Sequence, residues 1–130
     1  MITLSLLQLL EDNNLGVVDK DLFWQKLSLN KKGIYVVDTG QPQDRGVRRI
    51  QRFDLYSRGK NDIDGYEKLM EVVDFLNSKY GEVCTLPKAN IYDGSQAYEN
   101  VTIMPVSTPT NIGEDAQGRI IWSAFGELIY

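Results

Sequence analysis

Apolar residues along the chain recur with two different periods, and each period marks its own stretches. Over residues 3–13 the spacing predicts a short helix, with Ile2, Leu6, Leu9 and Leu10 on one face and Gln8, Glu11 and Asp12 mostly off it. Asn13, Asn14 and Gly16 supply its stop. Residues 22–29 and 33–39 read as strands, the second rich in β-branched and aromatic residues, with a turn at 30–33 between them. Pro42 and two glycines break the chain over 40–46. A strand is predicted over 47–57, where Gln51, Phe53 and Leu55 share one face and Arg52, Asp54 and Tyr56 the other.

The strongest signal is a helix over 63–80. Tyr66, Leu69, Met70, Val73, Leu76 and Tyr80 follow a spacing of three and four, Asn61 or Asp62 caps the start, and Gly81 ends it. Fully burying four aliphatic side chains of this kind contributes roughly 6–12 kcal/mol before entropy is subtracted. Leu69, Met70, Val73 and Leu76 are therefore expected to lie on a sheet. Residues 82–86, 101–106 and 119–130 are predicted strands, 90–100 is irregular, and the polar 107–118 reads as a long exposed loop. The order α-β-β-β-α-β-β-β implies an α+β fold, a largely antiparallel or mixed sheet with two helices packed on it.

At 130 residues the chain fits one domain, spanning 1–130. Its composition, 42% apolar and 25% charged, is ordinary for a globular domain, and the net charge of −4 gives no overall argument for nucleic acid or membrane. No stretch approaches the roughly 18 apolar residues of a membrane span. Residues 4–10 are leucine-rich but lack the basic start and cleavage site of a secretion signal. Cys84 is the single cysteine, which excludes an internal disulfide and suits a reducing compartment.

Candidate chemistry is sparse. The sequence contains no histidine, so Ser-His-Asp and Cys-His arrangements are excluded, and a zinc site nearly so. Cys84 reads as a small, partly buried hydrophobe. No phosphate-binding or dinucleotide-binding glycine motif occurs. The acidic pairs Glu11-Asp12, Asp62/Asp64 and Glu114-Asp115 read as solvated or capping charge. The chain is expected to be non-enzymatic, with no cofactor and no metal.

One charge cluster stands out. Arg45, Arg48, Arg49, Arg52 and Arg58 are five of the six arginines, with Lys60 following and only Asp44 and Asp54 as acids among them. Such a unit fits a solvated strand face, a contact with carboxylates of a neighbouring subunit, or DNA phosphates. In the second case Glu114 and Asp115, or Asp93 and Glu99, are the candidate acids. Trp24, Trp122, Phe125 and Tyr130 are candidate interface anchors, although such residues are more often core; Trp24 and Trp122 are expected in the core, and Tyr130, which ends the sequence, stays open between the two.

The run from Val36 through Asp38-Thr39-Gly40-Gln41-Pro42-Gln43-Asp44-Arg45, the strand ending Ser57-Arg58-Gly59-Lys60, and the opening Asp64-Gly65-Tyr66-Glu67-Lys68 resemble the tail terminator (minor capsid) proteins of siphophages. The similarity covers roughly residues 33–80; Gln41 stands where the family has a second glycine. The resemblance implies an α+β subunit of a hexameric ring at the head–tail junction of a virion assembled in the host cytoplasm. Such a ring caps the tail tube, ends its growth and joins tail to head. Its partners are the major tail tube protein and head–tail connector proteins, and DNA passes through it without specific binding. Gly40, Asp44, Arg45, Arg58 and Gly59 match the family's loop motif and are assigned to loop architecture. Alternatives are another head–tail joining or tail tube subunit, or a small nucleic-acid-binding module that uses the arginine face.

Overall fold

The computed structural model describes residues 2–26, 31–92 and 94–130. Leu27, Ser28, Leu29, Asn30 and Asp93 lie outside the described residues, and with them the end of the expected strand 22–29, the start of the turn at 30–33 and one candidate acid.

Among the described residues the fold is α+β: a curled, mixed sheet of eight strands with two helices. The elements run α1 (Ile2–Asp12), β1 (Leu22–Trp24), β2 (Gly33–Asp38), β3 (Gln43–Arg45), β4 (Arg48–Arg58), α2 (Asp62–Ser78), β5 (Val83–Leu86), β6 (Tyr98–Ile103), β7 (Thr110–Glu114) and β8 (Ile120–Ile129). The sheet order is β1-β2-β4-β8-β6-β5, with β3 on β4 and β7 on β8. β1 and β2 pair in parallel and the other pairs are antiparallel. The long strands β4 and β8 form the spine, in register from Ile50 opposite Ile129 to Ser57 opposite Trp122.

Side-chain alternation gives this spine two different faces. Phe53 and Leu55 of β4, with Ala124 and Leu128 of β8, enter the core beneath both helices. α2 buries Gly65, Leu69, Val72, Val73 and Leu76. Val72, rather than Met70 or Tyr66, completes its buried stripe, and Met70 is half-buried. The Asn61 side chain accepts from the Asp64 amide at 2.9 Å, which caps the helix as expected. At its far end Asn77 exchanges two hydrogen bonds with the Val106 backbone, at 2.7 and 3.2 Å.

α1 departs from the expected amphipathic helix. Ile2 to Gln8 and Leu10 are all buried, so it is enclosed on most sides. The polar residues this encloses find partners: the Ser5 hydroxyl donates to the Gln96 carbonyl at 3.0 Å, and Gln8 accepts from the Asn90 amide at 2.9 Å. A segment expected to be irregular thus closes over the helix. Trp24 donates to Thr3 at 3.0 Å, Thr3 donates in turn to Asp38, and together they tie α1 to β1 and β2.

Two short strands escape the sequence pattern. β3 lies inside the expected break at 40–46, and β7 lies inside the expected loop at 107–118. β6 also begins within the stretch expected to be irregular. No helix of the described residues is long and apolar enough to cross a membrane.

Candidate interaction surface

The arginine-rich unit forms an antiparallel hairpin rather than a loop followed by a strand. Arg45 pairs with Arg48 across a two-residue turn, Gly46-Val47. Gly46 holds φ at 68° in the first central position, a conformation suited to glycine and to the twist of flanking strands. The turn pushes Val47 into solvent, where it is 99% exposed.

The five arginines separate into different roles. Arg45 is exposed and its side chain makes no hydrogen bond or ion pair with any described residue. Arg49 donates to Asp44 at 3.0 Å, and its guanidinium lies 5.9 Å from the centre of the Tyr130 ring. Arg52 faces Glu127 at 3.9 Å on the open face of the sheet. Arg48 is half-buried and donates to the Asn100 and Ile129 carbonyls at 2.9 and 3.3 Å, which fastens the hairpin to β6 and β8.

Arg58 belongs to the interior. Its side chain is 2% exposed and contacts the Asp115 side chain, 4% exposed, at 3.3 Å. Arg58 also donates to the Lys31 carbonyl at 3.0 Å and to the Tyr35 hydroxyl at 3.3 Å. Asp115 accepts from Arg119 at 2.8 Å and from the amides of Gln117 and Arg119 at 2.9 Å each. The expected placement of Arg58 and Asp115 on a subunit surface is therefore corrected: they pair within one chain. The cause is a second, smaller buried group on the other face of the sheet, where Phe23 stacks on Tyr35 with ring centres 4.8 Å apart and residues 115–119 fold over Arg58.

The electrostatics of Asp115 follow from this cage. Burial alone pushes its carboxyl up. Hydrogen bonds from the Arg119 and Gln117 amides, with the Arg119 guanidinium and its charge, outweigh that and hold it below the usual carboxylate range. Cys84 is half-buried, its thiol lies 3.4 Å from the Val101 carbonyl, and burial raises its pKa. A protonated thiol in this setting is a weak nucleophile.

The loop-motif residues sit at joints. Gly40 is exposed and its carbonyl accepts from Gln51 at 3.1 Å. Asp44 steadies the hairpin through Arg49. Gly59 is buried where β4 meets α2, and a Cβ there would lie 2.5 Å from the Gly65 nitrogen. Glu114 is exposed at the end of β7, opposite Ile120.

A second surface feature has no mark in the sequence pattern. At the α2 end of the sheet Ile63, Tyr66 and Trp122 line an open cleft of about 390 Å³, with Asp62 and Glu67 at its edge. Trp122 is half-buried rather than fully in the core; it donates to the Asp62 carbonyl at 3.0 Å and meets Tyr66 edge-on at 5.1 Å. Trp24 likewise packs half-buried at the core's edge. Tyr130 is half-buried, held to the Arg49 backbone and edge-on to Tyr98, whereas Phe125 is 64% exposed on the open sheet face. Alternation alone places Trp122 with Ala124, and nothing in the sequence marks Ile63 beside it as exposed. No protein-family model matches the chain, and neither a curated protein nor a solved structure does.

Proposed function

We propose that the chain is a non-enzymatic assembly subunit, a tail terminator of the siphophage type. In this reading it forms a ring that caps the tail tube, stops its growth and joins it to the head connector. Its partners are further copies of itself, the major tail tube protein and head–tail connector proteins, and it acts in the virion at the head–tail junction.

The observation that carries the reading is the motif run of residues 33–80. Its residues occupy structural joints: Asp44 within the hairpin, Arg58 in the buried ion pair and Gly59 against the first turn of α2. A recognition motif for small-molecule chemistry would instead gather reactive groups around a cavity. The exposed arginines are also mostly neutralised by nearby acids, Arg49 by Asp44 and Arg52 by Glu127, which suits protein contact better than phosphate tracking.

The test is complementation of a terminator-deficient siphophage with this chain, scored by tail length in electron micrographs. Tails of uniform normal length and infectious particles are expected. Overlong tails in cells that accumulate folded protein would refute the assignment.

A further inference from the structure

Val47 and the Ile63–Tyr66–Trp122 cleft lie at opposite ends of one strand. Trp122 is paired with Ser57, and Ser57 is ten residues along β4 from Val47. At roughly 3.3 Å per residue this separates tip and cleft by about 30 Å. The hairpin of a chain therefore cannot reach the cleft of the same chain.

The two features are complementary in charge, and each is apolar at its centre. The tip offers one aliphatic side chain in full exposure, with Arg45 and Arg49 two residues to either side; Asp44 pairs with Arg49, so the tip remains net positive through Arg45 and Arg48. The cleft offers an apolar floor, stiffened by the Tyr66–Trp122 contact, with Asp62 and Glu67 at its rim. Glu114, exposed opposite Ile120, adds a carboxylate at the same end of the sheet. Lys60 and Lys68 line a different cavity, with Lys32 and Asp64. Ile63 is 70% exposed, so this apolar surface is uncovered in the single chain.

We infer that the β3–β4 hairpin of one copy docks in the Ile63–Tyr66–Trp122 cleft of the next, Val47 seated on Trp122 and Arg45 and Arg49 facing Asp62 and Glu67. The occupant is a second copy of this chain. Patches that differ, and that lie far apart on one molecule, make a head-to-tail contact, which a suitable rotation closes into a ring. Aromatic and arginine side chains at the centre of the contact are those that most often carry binding energy. The inference deepens the assembly reading and rests on it for the closure of the ring.

The experiment compares the mass in solution of the wild type, Val47→Asp and Ile63→Asp over a range of concentrations. Both positions are exposed, so thermal melting below the concentration of assembly should match the wild type and show that the fold is intact. The wild type should assemble and each variant should remain monomeric. An equimolar mixture of the variants keeps one intact hairpin and one intact cleft, and should yield dimers and nothing larger. A further variant carrying Val47→Cys, Ile63→Cys and Cys84→Ser should form disulfide-linked oligomers under mild added oxidant.

Wild-type rings that persist unchanged in Val47→Asp would overturn the contact and leave the assembly reading standing. A wild type that stays monomeric, with no cross-link in the cysteine variant, would also overturn it. Oligomers that depend on Val47 and Ile63 but fail to limit tail length would uphold the contact and remove the terminator function.

Discussion

Arg58 shows how far a single side chain can depart from what its neighbours suggest. It alternates with Arg52, Asp54 and Tyr56, so it shares the face that a solvated strand would present. That face is open at Arg52 and closed at Arg58, because residues 115–119 return over it. The closure was not legible in the sequence, since a polar run with Pro109 and two glycines carries no periodicity to show where it folds back. Once there, Asp115 has a testable titration. Its pKa is lowered on folding, so the stability it contributes is fully present above the ordinary carboxylate value, about 3.9, and is lost as the pH falls through the lower folded value. Asp115→Asn should lower the melting temperature most near neutral pH, and the gap to the wild type should narrow only as the pH falls below the ordinary carboxylate value. A gap of constant size over that range would mean that the carboxylate charge contributes nothing.

Elements differ in how plainly the sequence announces them, and the difference follows burial. α2 combines a cap, an apolar stripe and a terminating glycine, and its bounds of Asp62–Ser78 fall within two residues of the expected 63–80. Leu76 is fully buried in the core, so Leu76→Ala should cost about 2–5 kcal/mol in denaturant unfolding. A loss under half of one kcal/mol, roughly the range of surface changes, would place this face outside the core. β3 and β7 are short, and every residue in them is exposed. With no face to bury they have no alternation to display; only pairing with β4 and β8 makes them strands. Between these extremes lies the joint of β4 with α2, where Gly59 permits an approach that no side chain fits. Gly59→Ala should cost about 1–3 kcal/mol or more through overpacking, read as a lower denaturation midpoint. Its resemblance to a family motif pointed to the residue, but only the packing against Gly65 gives the reason.

At the scale of the whole molecule, the arginine unit does two jobs that the sequence could not separate. Arg48 holds the hairpin to the body of the sheet through the Asn100 and Ile129 carbonyls, whereas Arg45 and Arg49 face outward beside Val47. Charge reversal at these positions should therefore have different consequences. Arg48→Glu removes hydrogen bonds made by a charged donor and should cost about 1.5–3 kcal/mol of stability, with a lower melting temperature for the single chain. Arg45→Glu combined with Arg49→Glu should leave melting nearly unchanged, because among the described residues the only ion pair lost is the exposed one with Asp44. Its effect should appear in assembly, where two reversed charges would meet Asp62 and Glu67 of the neighbouring copy and repel. Exposed pairs contribute about 0–1 kcal/mol each, so the double reversal should slow association and should do so less at high salt. Val47→Asp removes the apolar centre as well as adding a charge, so salt should rescue it only in part. Melting curves and assembly measured at two ionic strengths distinguish the three variants. Equal loss of melting temperature in all of them would mean that the hairpin serves only the fold, and that the contact between copies lies elsewhere.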